Sequence, residues 1–282
     1  MFLVTRGGTP AAALSSISIV TGANKGIGLA IAKKLADSPE HLCILTARDP
    51  GRGEAAVETL RKEGLEAVFK QLDIGDPASV ERFASDIETE YGRCDVLVNN
   101  AGIAFKGSDP TPFQMQAQPT LKTNFFDTVA FTERMLPLLR KSKKGRVVNV
   151  ASGAGSLSML NTQRWRKAFT APGLTKEHLW NMMSTFVEDV KAGRHESEGW
   201  PSTCYGMSKL GLIAYTNVLA RLERESGSAV LANSCSPAGY VATDMTSHKG
   251  TLTPEEGART PFVLTQTGVT GRFFRSGALS EW

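Results

Sequence analysis

The chain has 282 residues, of which 41% are hydrophobic and 21% charged, with a formal net charge of +4; that composition is ordinary for a soluble globular protein and the length suits one large α/β core. Basic residues are scattered apart from the KSKKGR run at Lys141 to Arg146, which precedes a strand-like segment and reads as a solvated turn, so no nucleic-acid partner is expected. No apolar run approaches the ~18 residues of a membrane span, and the four cysteines and four histidines lack metal-ligand spacing, which leaves a reduced, cytoplasmic protein with no metal.

Residues 1–16, MFLVTRGGTPAAALSS, lack acids and faintly resemble an organelle leader, but one arginine and a proline fit an N-terminal tail better. From Ile17 onward, apolar β-branched runs alternate with helix-length segments. ISIV at 17–20 is the first strand and runs straight into TGANKGIG, Thr21 to Gly28. Glycines 22, 26 and 28 between a strand and a helix permit a tight turn, a close backbone approach to a pyrophosphate and close helix packing, which is the context of a dinucleotide site.

The helix that follows, Gly26 to Asp37, carries Ile27, Leu29, Ala30, Ile31 and Leu35 on one broad stripe. LCILTA at 42–47 is the second strand and ends at Arg48. An acid there would take a free ribose 2′-hydroxyl; two cations, Lys25 and Arg48, favour a 2′-phosphate and hence NADP, with Asp49 as the alternative ribose ligand. AVFKQLDI at 67–74 brings Asp73 toward the adenine edge, and Asp76-Pro77 opens a helix over 78–91. DVLVNN at 95–100 leads into Asn99 to Gly102, NNAG, beside the adenosine ribose; a long helical segment covers 118–140, with Pro137 near its end.

RVVNVAS at 146–152 and AVLANSCS at 229–236 complete six strands. Apolar on both faces and separated by helices, they form a parallel, doubly wound α/β sheet of the Rossmann type. Between Ser156 and Pro201 lies an insertion within a single domain spanning 17–282, with one helix over 175–191 opening on Thr175. Its Trp165, Trp180 and Met182 read as local packing before pocket lining, and Cys43 and Cys235 as buried strand thiols. Cys204 abuts Tyr205 and so borders any pocket there. The helix from Thr203 to Arg224 carries Tyr205 and Lys209 one turn apart, on one face.

TGANKGIG, NNAG, Asn124 in LKTNFF, Ser152 in NVAS and the Tyr205/Lys209 pair stand in the order of the short-chain dehydrogenase/reductase family, which the chain resembles from about Ile17 to Trp282. EGWP before the tyrosine, PEEGA and the terminal tryptophan look like its monomeric NADPH-dependent carbonyl reductases. The resemblance implies reduction of ketones, aldehydes or quinones. Tyr205 would be the general acid, Lys209 the ammonium that lowers the phenol's pKa, Ser152 the carbonyl-oxygen ligand and Asn124 the anchor of a proton-relay water.

It also implies an NADPH/NADP+ site built from Gly22, Asn24, Lys25, Gly26, Ile27, Gly28, Arg48, Asp73, Ile74, Asn100, Ala101, Gly102, Tyr205, Lys209, Pro237, Gly239, Val241 and Thr243. Ser152 and Tyr205 stand 53 residues apart, where the family usually has about a dozen; the insertion would cover the surface that other members use to dimerise, implying a monomer. One departure is Ala238, an extra residue between Pro237 and Gly239 in the loop that would carry Val241 and Thr243 to the nicotinamide. A dedicated alcohol or steroid dehydrogenase and a non-catalytic NADPH sensor are the alternatives; Ala238 favours the sensor and the intact tetrad opposes it.

Overall fold

The computed structural model describes residues 14–38 and 41–282, together with the backbone of a small ribbon, β1 (Val4–Thr5) paired with β2 (Thr9–Pro10). Most of the tail expected over residues 1–16 therefore lies outside the described residues. At its end Ser16 already pairs with His41, so the first long strand starts one residue before Ile17.

The main sheet has eight strands. In chain order these are β3 (Ser16–Val20), β4 (His41–Ala47), β5 (Val68–Gln71), β6 (Val96–Asn99), β7 (Arg146–Val150), β8 (Leu231–Ser236), β9 (Phe273–Arg275) and β10 (Ala278–Ser280), and in space they run β10-β9-β8-β7-β6-β3-β4-β5. All pairings are parallel except β9 with β10. The order reverses between β3 and β6, and at such a switch point a crevice opens beyond the carboxyl ends of the strands.

Alternation along the strands divides the core in two. Ile17, Ile19, Leu42, Ile44, Leu97 and Val147 face one layer; Val20, Cys43, Leu45, Val98, Val148 and Cys235 face the other. The second layer is covered by α1 (Gly26–Ala36), α2 (Pro50–Lys62), α9 (Pro254–Gly257) and α10 (Arg259–Leu264). Over the first lie α3 (Pro77–Tyr91), α4 (Phe113–Leu121), α5 (Thr128–Arg140) and α8 (Cys204–Glu225). The insertion adds α6 (Gln163–Phe169) and α7 (Lys176–Lys191), and α7 packs on α4 and α8. Each fully buried large aliphatic side chain in these layers contributes about 1.5–3 kcal/mol.

Local chemistry sets the helix boundaries. Asp49 accepts from the Arg52 amide ahead of Pro50, Asp76 from the Ala78 amide ahead of Pro77, and Thr175 and Thr203 from the amides three residues on. The helical segment expected over 118–140 starts earlier, at Phe113, and is interrupted by a π-helical turn at Lys122–Asp127. Pro119, which has no N–H to donate, lies inside the preceding turns. No helix among the described residues is long and apolar enough to cross a membrane.

Candidate active site

The glycine loop joins β3 to α1 and lies at the switch point. Gly22 and Gly26 have φ of 61° and 56°, a left-handed backbone that favours glycine. A methyl at Gly28 would sit 2.4 Å from Asn100 Nδ2 and 2.6 Å from the Gly22 carbonyl oxygen, so only hydrogen fits there. Asn100 Nδ2 donates to the Thr21 and Gly22 carbonyls, and the Asn100 and Ala101 amides donate to Thr21 Oγ1, locking NNAG to the loop. Lys25 precedes α1 without a side-chain cap, and the first turn has no acid. The leading amides are thus open to an anion, and the residues present fit a dinucleotide pyrophosphate.

Beside the loop is a cavity of about 410 Å³ lined by Asn24, Lys25, Leu29, Arg52, Thr59 and Asp244, among others. Lys25 Nζ pairs with Asp244, whose carboxyl is held below the usual carboxylate range by that contact and by His248. The second cation at this cavity is Arg52; Arg48 is exposed, and its backbone carbonyl accepts from Gln71. Asp49 spends an oxygen on the Arg52 amide, and Asp73 spends one on the Gly75 amide. Sequence reading passes over Arg52 and Asp244, because an arginine in the first turn of a helix and an acid following Thr243 carry no local signal.

The second half of the site lies where β7, the π-turn and α8 meet. Lys209 is 4% exposed; its Nζ donates to the Val150 carbonyl and lies 5.6 Å from the Tyr205 ring centroid. Ser152 follows β7; its hydroxyl accepts from the Ala154 amide and acts on the Tyr205 phenol, drawing its pKa down. Asn124, buried in the π-turn, exchanges two hydrogen bonds with the Ile103 backbone and donates to Ser208 Oγ. A methyl at Gly102 would lie 3.1 Å from Asn124 Oδ1 and 3.6 Å from Lys209 Nζ. The structure therefore gathers Ser152, Tyr205, Lys209, Asn124 and Gly102 at one point. It adds Ser208, which sequence reading passed over although it is one turn beyond Tyr205.

Electrostatics correct one expectation. The Tyr205 phenol is not depressed by its lysine: burial pushes it above its ordinary value, and the Ser152 bond only partly draws it back. Desolvation brings Lys209 down from 10.5 to about 8, because its ammonium is held in a dry site by one carbonyl. A phenol that stays protonated at neutral pH is in the form needed to donate.

After β8, Gly239 takes φ 63° and absorbs Ala238, and Val241 pairs with Leu252. Val241 is buried against Gly257, whereas the Thr243 methyl would lie 3.4 Å from a methyl at Gly26, so the loop returns to the glycine turn. Ile27 is packed against the α1 face of the core, Ile74 against the opposite one, and Pro237 is half-buried. Trp165 stacks on Trp200 and Met182 is in the core, while Trp180 lies against Phe126. Burial pushes the Cys204 thiol up to about 12, so it is no nucleophile at neutral pH.

The short chain dehydrogenase family matches residues 16–164. Carbonyl reductase (NADPH) 1 of Homo sapiens is 44% identical over 275 residues, covering 94% of this chain and 98% of that protein. Carbonyl reductase (NADPH) 3 of Mus musculus is 44% identical over 276 residues, covering 95% and 99%. Among solved structures, salutaridine reductase from Papaver somniferum superposes with a TM-score of 0.84 at 32% identity, covering 92% of this chain and 99% of that one. With its switch-point glycine loop, its serine-tyrosine-lysine cluster and a match over most of its length, the chain belongs to the short-chain dehydrogenase/reductase family.

Proposed function

We propose that this protein is an NADPH-dependent carbonyl reductase that turns ketones, aldehydes or quinones into alcohols or quinols, with Tyr205 as general acid. Its relatives are named for NADPH-dependent carbonyl reduction, and the observation that carries the residue roles is Lys209 Nζ 5.6 Å from the Tyr205 ring centroid, with Ser152 acting on the phenol from the end of β7. When held by the glycine-loop amides, NADPH would supply the hydride that a carbonyl carbon takes up, a two-electron reduction with NADP+ as the oxidised product. Tyr205 donates its proton to the carbonyl oxygen as charge grows there, and Ser152 holds that oxygen from the side. Lys209 stabilises the phenolate left behind. Asn124 has its side chain committed to Ile103 and Ser208, so its part in proton return would fall to its backbone carbonyl in the π-turn.

The amides of Gly26, Ile27 and Gly28 would hold the pyrophosphate. Asn24, Lys25 and Arg52 would meet the 2′-phosphate, with Arg48 at the outer rim, and Asp73 with Ile74 would flank the adenine. Gly22, Asn100, Ala101 and Gly102 would border the adenosine ribose, and Lys209 the nicotinamide ribose; Pro237, Gly239, Val241 and Thr243 would shape the nicotinamide side. α7 lying on α4 and α8 supports a monomer, and we assign the protein to the cytoplasm as one domain over 17–282.

The test is NADPH oxidation followed by absorbance with a panel of ketones, quinones and aldehydes, repeated with NADH. Turnover with NADPH and little with NADH is expected. Tyr205→Phe is expected to abolish turnover with NADPH affinity retained; loss of NADPH affinity instead would remove Tyr205 from the acid role.

A further inference from the structure

The sheet ends in a tight hairpin whose position has a chemical consequence for the substrate. Ser276 and Gly277 link β9 to β10 with φ of 51° and 82°, the two-residue turn with both central residues left-handed. Arg275, the last residue of β9, pairs with Ala278 across that hairpin and lies beside Ser236 of β8. Its backbone is thus fixed on both sides at the carboxyl edge of the sheet, the edge on which Ser152 follows β7.

The side chain lies on the α8 face. Phe273, two residues earlier, is buried with Ala151 and Ile213, and alternation sends Arg275 the same way. Two residues beyond Ala151 is Gly153, and a methyl placed there would meet the Arg275 guanidinium carbon at 3.3 Å and its Nε and one Nη at 3.5 Å. The guanidinium occupies the space that a side chain at 153 would fill, one residue from Ser152. Arg61, Arg93, Arg134, Arg140, Arg194 and Arg221 each pair with a carboxylate. Arg275 has no ion-pair or side-chain hydrogen-bond partner among the described residues, and it is exposed.

An unpaired guanidinium lying over Gly153, the residue after the one proposed to hold the reacting oxygen, is a receptor for a planar anion. We infer that Arg275, in the space left by Gly153, forms an anion subsite at the mouth of the active site and that the enzyme prefers carbonyl substrates carrying a carboxylate a few bonds from the C=O. The inference rests on Ser152 being at the reacting carbonyl.

The experiment compares kcat/KM for three acid and methyl ester pairs, benzoylformate, 3-benzoylpropionate and 4-benzoylbutyrate, in the wild type, Arg275→Gln and Arg275→Lys. The acid-to-ester ratio is read within each protein, so any loss common to both substrates cancels; melting temperature and NADPH affinity report folding. The ratio is expected to fall about tenfold in Arg275→Gln for at least one pair, to be partly kept in Arg275→Lys, and to fall at high salt in the wild type. Gly153→Ile, which fills the same space, is expected to lower the ratio as Arg275→Gln does. A ratio unchanged within twofold by Arg275→Gln in all three pairs, or a wild type that reduces only the esters, overturns the subsite. Wild-type failure on neutral quinones and ketones as well would instead overturn the reductase reading.

Discussion

Lys209 is the residue at which stability and activity are set against each other. In the unfolded chain its ammonium is hydrated, whereas in the fold it is 4% exposed and its pKa falls from 10.5 to about 8. At about 1.4 kcal/mol per unit, keeping the charge buried at pH 7 costs roughly 3 kcal/mol. Lys209→Met removes that cost and forfeits the bond to the Val150 carbonyl, which gives back about 1–2 kcal/mol. The net expectation is a variant about 1–2 kcal/mol more stable, melting roughly 2–3 °C higher without cofactor, and inactive. The folded pKa lies below the unfolded one, so the wild type carries the full penalty below about 8 and sheds it as pH climbs to 10.5. The melting gap should therefore close between pH 7 and pH 10. Cys235 beside it is neutral across this range, because burial pushes its thiol up, and Tyr205 is raised likewise. Scanning calorimetry at the two pH values checks both points. A variant that melts below the wild type at pH 7, or a gap that does not change with pH, would refute the reasoning.

The same ionisation sets the pH profile: kcat/KM for carbonyl reduction should decline as pH rises through about 8, since neutral Lys209 no longer stabilises the phenolate, and a flat profile to pH 10 would count against it. Gly28→Ala drives a methyl to 2.6 Å from the Gly22 carbonyl, a backbone atom that cannot turn away. It should cost about 1–3 kcal/mol and weaken NADPH more than tenfold, read by melting and by fluorescence titration. Glu223 is 1% exposed; burial pushes its carboxyl up, but two bonds from the half-exposed Arg140 hold it below its usual value. Glu223→Gln should cost about 1–2 kcal/mol after screening. Because the folded pKa is depressed, the difference should vanish as pH falls below about 4.5 in urea titrations.

Legibility in the sequence followed the range of the interactions. The glycine loop, the six parallel strands, the caps at Asp76 and Thr175 and the helix start near Thr203 rest on contacts within a few residues, and each stands where the pattern puts it. Ends were less exact: the strand read over 67–74 pairs only over Val68–Gln71, because pairing depends on β4 and not on its own apolarity. Ser276-Gly277 between FFR and ALS is a hairpin signal the sequence does carry. The π-turn at 122–127 is not legible, since it is imposed by Asn124 bonding to Ile103, 21 residues away. Burial was legible as apolarity, but not its effect on charge. A tyrosine four residues before a lysine suggests a depressed phenol, and only the enclosed site shows that desolvation raises it.

The 53-residue separation between Ser152 and Tyr205 raises the question of what keeps two groups in register across so long an insertion. Direct backbone packing does so at the site. A methyl at Gly155 would lie 2.7 Å from the Lys209 carbonyl carbon and the Leu210 nitrogen, and one at Gly206 would lie 2.8 Å from the Ala154 carbonyl oxygen, so the turn after Ser152 rests against the backbone of α8. The insertion then fixes where α8 begins. Trp200 is fully buried, stacks on Trp165 at 3.6 Å between centroids and donates to Asp189, which Arg194 also holds. Three residues later Thr203 caps α8, and two further on stands Tyr205. An anchor five residues upstream and a glycine contact on the helix itself leave the phenol little freedom. The long connection therefore adds surface cover without loosening the packing of the turn after Ser152 on α8, and the proposed acid is aligned from within one chain.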